Sequence, residues 1–136
     1  MSAGVAGLDI LLVEDDRVIA DMYRIKLSAE GHLVRIATDG PAGLRQALDR
    51  PPQFLLLDIR LPGFDGLELL SRLRGDPRGA HTRVILLTNF AEPDVVQRGA
   101  DLGVLAHLIK SQTTPAVLIE ALRDLLSGRP AGLGGT

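Results

Sequence analysis

Charged and hydroxyl side chains stand at the ends of four apolar runs in this chain. Glu14 and Asp15 follow the run DILLV, and Asp58 follows FLLL. Thr88 ends the run VILLT, and Lys110 ends LAHLIK. A charge at the end of a strand buried on both faces is costly unless it reaches water or a partner. If these four runs are neighbouring parallel strands, their end residues converge on one edge, and the sequence predicts one common site.

The residue types in this set favour phosphoryl chemistry. Carboxylates held close together repel, so a cation should accompany Glu14, Asp15 and Asp58. All-oxygen ligands suit Mg²⁺, which binds through a few carboxylates and keeps waters for an incoming phosphate. A carboxylate can carry a phosphoryl group as a nucleophile, while an ammonium group and a hydroxyl stabilise its oxygens. Lys110 and Thr88 would supply these two groups.

Each residue alone also has an ordinary interpretation. Asp16 reads as the N-cap of a helix, and an acid after a strand is often no more than that. Thr88 could be a strand-end hydroxyl with a local partner. A single lysine usually reaches solvent. The combination of all of them at four strand ends is far more specific than any one part.

Five strand–helix units have to position these residues. The predicted strands span 9–13, 33–37, 54–59, 83–88 and 105–110. The predicted helices span about 17–30, 40–50, 66–75, 92–103 and 114–128. Such alternation predicts an α/β fold, a doubly wound parallel sheet with helices on both faces. Ligands of such sheets bind outside the carboxyl ends of the strands, where the candidate residues lie.

Apolar spacing supports two of these helices in particular. The first helix has apolar residues at helical spacing: Val18, Met22, Ile25 and Ala29. The third has Leu67, Leu70 and Leu73. In each case the period of about 3.6 residues predicts one apolar stripe.

The composition is that of an ordinary globular protein. The 136 residues are 46% hydrophobic and 24% charged, with a formal net charge of -2. The absence of cysteine excludes disulfides, thiolate metal sites and cysteine nucleophiles. The charge gives no footprint for direct nucleic-acid binding, and no apolar stretch has the length of a membrane span. We expect a cytoplasmic protein with one domain at 9–127, between flexible segments at 1–8 and 128–136.

The sequence resembles the receiver domains of two-component response regulators. The matching pieces are ILLVEDD, LLLDIRLPGFDG, VILLTN and AHLIKS, and they cover nearly the whole chain. The resemblance implies a flavodoxin-like sheet of order 2-1-3-4-5. It also implies a signalling domain, with no enzymatic activity beyond its own phosphorylation and dephosphorylation. Its phosphoryl donor would be a histidine kinase or a phosphotransfer protein.

Residue roles follow from the resemblance position by position. Asp58 would accept the phosphoryl group, and Mg²⁺ would bind Glu14, Asp15, Asp58 and the backbone carbonyl of Arg60, directly or through water. Thr88 and Lys110 would contact the phosphoryl oxygens.

The resemblance assigns the surrounding positions too. Pro62, Gly63 and Gly66 would shape the loop after the acceptor. Arg60 and Phe90 would lie beside the phosphoryl group and limit water access, which predicts a long-lived phosphoryl group. The face formed by the fourth helix, fifth strand and fifth helix would bind partners or form a homodimer.

Three positions depart from the family pattern. Asn89 stands where a small residue is usual, and it could crowd the phosphoryl group or hydrogen-bond to it. Ser111 replaces the proline that commonly follows the lysine. His107 replaces an aromatic residue that turns inward when Thr88 moves. We expect inward rotation only for neutral His107, since burying its nitrogens without partners is costly. The alternative is an exposed histidine with no role in switching.

Other functions compete with this hypothesis. A haloacid dehalogenase-like phosphatase needs an acid two residues after the nucleophile, where this chain has Arg60, which cannot donate a proton. A flavin-binding module needs a phosphate loop after the first strand, where EDDR would repel phosphate. A degenerate receiver that only binds proteins would not need the full acidic and basic set. The chain could be a stand-alone receiver or part of a longer regulator.

Overall fold

The computed structural model describes residues 7–128. Five strands form one sheet: β1 (Asp9–Val13), β2 (Leu33–Ala37), β3 (Phe54–Asp58), β4 (Val84–Thr88) and β5 (Ala106–Ile109). Five α-helices follow them in turn: α1 (Arg17–Ala29), α2 (Gly40–Asp49), α3 (Gly66–Arg74), α4 (Pro93–Asp101) and α5 (Pro115–Leu126). The predicted alternation is confirmed, and the ends differ from prediction by one or two residues. The main difference is at Lys110, which begins a short 3₁₀ turn, Lys110–Gln112, instead of ending β5.

All strand pairs are parallel, in the order β2-β1-β3-β4-β5. The predicted doubly wound order is therefore confirmed. Val13 pairs with Leu57, so the next residues of these strands, Glu14 and Asp58, occupy one row at the sheet edge. Thr88 pairs with Ile109, so Lys110, the next residue of the chain, lies one residue beyond Thr88 at the same edge of the sheet.

The apolar strands bury both faces of the sheet. One face packs against α1 and α5, and its core includes Ile10, Leu12 and Leu118. The other packs against α2 and α3, and its core includes Leu11 and Leu70. Residues of β3 and β4 are all buried, which explains why their sequences are continuous apolar runs without alternation.

The predicted apolar stripe of α3 is confirmed and buried, while the predicted stripe of α1 is exposed to solvent. Leu67, Leu70 and Leu73 are all buried. On α1, by contrast, Val18 is 79% exposed and Ile25 is 61% exposed. The other two members of that stripe, Met22 and Ala29, are also exposed. The residues that α1 does bury are Ala20, Tyr23 and Leu27. The period predicted the helix correctly, but α1 has apolar residues on two faces and only one can meet the sheet.

Side-chain caps begin most of the helices. Asp16 accepts hydrogen bonds from Val18 N and Ile19 N, so its predicted role as the N-cap of α1 is confirmed. Asp39, Asp65 and Thr114 cap α2, α3 and α5 in the same manner. Glu92, at the N-cap of α4, makes no such bond.

The predicted end segments lie largely outside the described residues. Residues 1–6 and 129–136 belong to that part of the chain. Gly7 is exposed but its N–H donates to Gly31 O, and Leu8 is buried, 6% exposed. Within residues 7–128, none of the helices combines the length and apolar character needed to cross a membrane.

Candidate functional site

The ends of β1, β3 and β5 bring two carboxylates and one ammonium group together. Lys110 Nζ lies 2.6 Å from Glu14 Oε1 and 2.9 Å from Asp58 Oδ2. The three side chains are 11%, 1% and 6% exposed, in the order Lys110, Glu14 and Asp58. Asp58 is therefore a buried strand-end charge with a partner, as the sequence predicted.

Burial and neighbouring charges of opposite sign have opposing effects on the pKa values of Glu14 and Lys110. Burial raises the pKa of Glu14 and the Asp58 charge adds to this, while Lys110 and the Asp16 backbone N–H oppose it. Burial alone would lower the pKa of Lys110. The hydrogen bonds and charges of Glu14 and Asp58 outweigh burial and hold the pKa of Lys110 above its usual value. Lys110 is thus a fixed positive charge at the site.

Three carboxylates at this edge could hold a metal ion. Glu14, Asp15 and Asp58 each offer an oxygen, and these oxygens lie within 4.8 Å of one another. Glu14 and Asp58 are buried, while Asp15 is exposed. Glu14 Oε2 also accepts from Asp16 N at 3.0 Å. Hard oxygen donors with one side open to solvent fit Mg²⁺, which retains waters in its shell.

The hydroxyl of Thr88 has two hydrogen-bond partners, Phe90 and His107, and neither belongs to the acidic cluster. Its Oγ1 donates to Phe90 O at 2.9 Å and lies 2.7 Å from His107 Nε2. A hydroxyl has one proton, so Thr88 accepts from the Nε2–H of His107. Burial lowers the pKa of His107. His107 is thus partly buried and has a partner, which neither of the two alternatives for this residue anticipated.

A small pocket separates Asp58 from Thr88. Its volume is about 20 Å³, which is room for about one water molecule. Arg60, Asn89 and Phe90 all line it, and their roles beside a phosphoryl group stay predictions. Glu92 lines it as well, and its carboxylate lies 3.7 Å from the Arg60 guanidinium across the pocket.

Glycines hold the loop that follows Asp58 very close to its neighbours. A Cβ at Gly66 would overlap the carbonyl oxygen of Asp58, and one at Gly40 would overlap that of Phe64. Gly63 has φ +85 and packs on Pro41. The sequence analysis identified Pro62, Gly63 and Gly66 but missed Gly40. Nothing in the local sequence of α2 signals that its first residue receives this loop.

Comparison with known proteins identifies the family. Residues 10–123 match the response regulator receiver domain. Sporulation initiation phosphotransferase F of Bacillus subtilis is 33% identical over 101 residues, which are 74% of this chain and 80% of that protein. The chain is a response regulator receiver domain. The receiver family consists of signalling domains of two-component systems, which interact with histidine kinases or phosphotransfer proteins.

Two further matches support this assignment. The phosphate regulon transcriptional regulatory protein PhoB of Rhizobium meliloti is 31% identical over 121 residues, covering 89% of this receiver. A solved CheY-like receiver from Methanospirillum hungatei superposes with a TM-score of 0.82 and 28% identity, covering 90% of this chain and 96% of that one. This receiver spans 53% of the Rhizobium regulator and 42% of the regulator RpaA of Synechocystis.

Proposed function

We propose that this receiver takes a phosphoryl group onto Asp58 from a histidine kinase or a phosphotransfer protein. The observation that carries the proposal is the pair of contacts from Lys110 Nζ to Asp58 Oδ2 and Glu14 Oε1, at 2.9 and 2.6 Å. They hold a positive charge beside a buried carboxylate at the edge of the sheet where the acids converge. Phosphoryl transfer depends mainly on such positioning and charge stabilisation.

The residues of this chain that would take part in the transfer are the acceptor carboxylate and its neighbours. Asp58 Oδ1 attacks the phosphorus of a phosphohistidine, and the new O–P bond forms as the P–N bond breaks. The bonding pair of the P–N bond passes to the imidazole nitrogen, which takes a proton from solvent. Lys110 already binds Oδ2, so Oδ1 is the oxygen left to react. Lys110 then offsets the charge on the transferred group.

Mg²⁺ is the cofactor that the donor set supports. Asp15, Asp58 and the backbone carbonyl of Arg60 would ligate it. Both oxygens of Glu14 are engaged, one with Lys110 and one with Asp16 N, which favours a Glu14 contact through water. When bound, the ion would neutralise charge on the phosphoryl oxygens.

Thr88 would act as the switch, together with His107. To reach a phosphoryl oxygen, its hydroxyl has to leave Phe90 O and the His107 ring. The pocket has a volume of about 20 Å³, which is too small for a phosphoryl group. Phosphorylation would therefore require the residues around the pocket to move, which supports the proposed movement of Thr88. His107 would then lose its acceptor and turn, changing the face formed by α4, β5 and α5. We propose this face as the partner or homodimer surface. Asn89 would line the space through which the hydroxyl moves.

Mass spectrometry after incubation with acetyl phosphate and Mg²⁺ tests the proposal. The wild type should gain the mass of one phosphoryl group, and Asp58→Asn should gain none while remaining folded, since the two side chains are nearly isosteric. Asp16→Asn is the matched control, because asparagine still caps α1. Full modification of the Asp58→Asn protein would reject the assignment.

Removing Asp15 tests the metal separately. Asp15→Ala should lose most Mg²⁺ binding and most phosphorylation, because an exposed carboxylate of the cluster is gone. Titration with Mg²⁺, followed by the shifts of backbone NMR signals near β1 and β3, measures the affinity. An unchanged affinity would show that the ion binds elsewhere.

A further inference from the structure

Tyr23 is a buried phenol whose hydroxyl has one specific task in this fold. Its side chain lies in the apolar cluster between the sheet, α1 and α5, and the residue is 1% exposed. Phenylalanine would fill such a site equally well, so the hydroxyl is the feature that needs a reason. Tyr23 Oη donates to the backbone carbonyl of Thr113 at 2.6 Å.

Thr113 closes the turn that begins at Lys110. Its N–H donates to Lys110 O at 3.2 Å, and its Oγ1 donates to Ile109 O at 2.7 Å. Thr113 is 4% exposed, whereas the two residues between it and Lys110, Ser111 and Gln112, are exposed. The backbone after Lys110 is thus held from its buried end, at Thr113.

Beyond the two hydrogen bonds of Thr113, the turn has little restraint of its own. The residue after Lys110 is Ser111, which does not restrict the backbone as proline would. The 3₁₀ turn has only three residues and no side-chain cap. Its position relative to the acidic edge therefore depends on contacts with other elements, and the hydrogen bond from Tyr23 ties it to α1.

Helix α1 begins shortly after Glu14, one of the two acids that Lys110 contacts. Asp16 caps the helix, and its N–H also binds Glu14 Oε2 at 3.0 Å. Burial raises the pKa of Tyr23. The charge of Lys110 lowers this pKa and the charge of Glu14 raises it, because both groups lie near the Tyr23 hydroxyl. Helix α1 therefore follows Glu14 in the chain and, through Tyr23, also binds the turn that begins at Lys110.

We propose that Tyr23 is a positioning residue that sets the placement of the Lys110 ammonium between Glu14 and Asp58. It acts through the Thr113 carbonyl and touches none of the reacting groups. The inference deepens the proposed function, because a misplaced Lys110 would slow phosphoryl transfer. The position of the Lys110 ammonium in the ion pair can be measured without any phosphorylation.

The two lysines of the chain make a direct measurement practical. Lys26 lies on α1 and is exposed, while Lys110 is in the ion pair. Lysine-selective ¹³C labelling should give one Cε signal for each, assigned with Lys26→Arg and Lys110→Ala. In Tyr23→Phe, we expect the Lys110 signal to move towards that of Lys26, with Lys26 unchanged.

Ala20→Gly is the matched control. Ala20 is another fully buried residue of α1, and the substitution weakens the helix without touching the turn. It should move neither lysine signal. The inference is overturned if Tyr23→Phe leaves Lys110 unchanged, if Lys26 shifts as much, or if Ala20→Gly has the same effect.

Phosphorylation rates give a second readout. Tyr23→Phe should slow modification by acetyl phosphate roughly three- to tenfold, the change that loss of one ordinary hydrogen bond gives. In a Lys110→Ala background, the same substitution should have no further effect, because there is no ammonium left to place. An equal loss in both backgrounds would overturn the inference. If the wild type takes no phosphoryl group, the proposed function fails, and the NMR comparison alone decides the role of Tyr23.

Discussion

The loop after β3, residues 59–65, is held by backbone contacts along its length. Gly66 N donates to Ile59 O at 2.7 Å, and Gly40 N donates to Pro62 O at 3.0 Å. The close approaches at Gly40 and Gly66 leave no space for a side chain. Arg72 also stacks over the Phe64 ring, 4.3 Å from its centroid.

The loop after β4, residues 89–92, has far fewer contacts. All four of its residues are exposed, and Phe90 is 66% exposed. Its hydrogen bonds include the one from the Thr88 hydroxyl to Phe90 O, which the proposed switch would break. Glu92 begins α4 without a side-chain cap, and its ion pair with Arg60 is an exposed contact at 3.7 Å.

We expect the loop after β3 and the loop after β4 to have different tasks on the two sides of the pocket. The backbone carbonyl of Arg60 is a proposed metal ligand, and a rigid loop on the Asp58 side would favour binding because it holds that carbonyl in place. A residue that signals the phosphoryl group has to move, and segments with few buried contacts open at low cost. We therefore expect substitutions in the first loop to abolish function and substitutions in the second to tune it.

Gly66→Ala should have the largest effect, because it disturbs the close packing of the first loop. Its Cβ would overlap the Asp58 carbonyl, so we expect a loss of about 1–3 kcal/mol in the free energy of unfolding and a large loss of phosphorylation. Gly75→Ala is the control, since the nearest atoms to a Cβ there are 3.6 Å away. Urea denaturation measures both variants. Equal stability of the two would mean that the first loop is not held by close packing.

A substitution of Phe90 should change the lifetime of the phosphoryl group without affecting the fold. An apolar ring beside the pocket hinders water, whereas an amide could orient it for in-line attack. For Phe90→Asn we expect dephosphorylation about tenfold faster, equivalent to about 1.4 kcal/mol in the barrier. Arg60→Asn tests the opposite side of the pocket by the same timed assay. Unchanged or slower decay in both variants would reject shielding by these two residues.

Capping α4 should make the second loop more like the first. Glu92→Ser places a hydroxyl at the N-cap, and we expect up to about 1 kcal/mol of added stability over Glu92→Ala. Both variants lack the exposed ion pair with Arg60, so their difference in urea denaturation isolates the cap. If serine and alanine are equally stable, the start of α4 is not limited by its missing cap.

The smallest effect concerns pH on the Thr88 side. Burial lowers the pKa of His107, so the folded protein binds its proton less readily than the unfolded chain, whose histidine pKa is about 6.5. The neutral ring therefore contributes stability above about pH 6.5 that is lost as pH falls. Relative to His107→Phe, the wild type should lose stability between pH 7.5 and 5.5. His32, whose pKa burial also lowers, is present in both proteins and cancels. Parallel pH curves of urea midpoints would exclude this contribution of His107.

Much of the site could be predicted because it lies at strand ends. In a parallel sheet the carboxyl ends share one edge, so Glu14, Asp58, Thr88 and Lys110 converge when their strands are neighbours, as in the strand order that the resemblance implied. Continuous apolar runs and capping residues were sufficient for that recognition. Charge chemistry favoured Mg²⁺ and a phosphoryl group at this cluster, and these two assignments stay predictions.

Only the tertiary structure decided which surfaces meet. Helix α1 has apolar residues on two faces, and the choice of Tyr23 over Met22 as a buried residue depends on what the sheet and α5 present to it. The hydrogen bond between Tyr23 and Thr113 joins residues 90 positions apart. The fit of Gly40 against Phe64 likewise needs both α2 and the loop after β3 in place. A local pattern determines the period of a helix and the end of a strand, whereas a contact between distant residues exists only after packing has selected their neighbours.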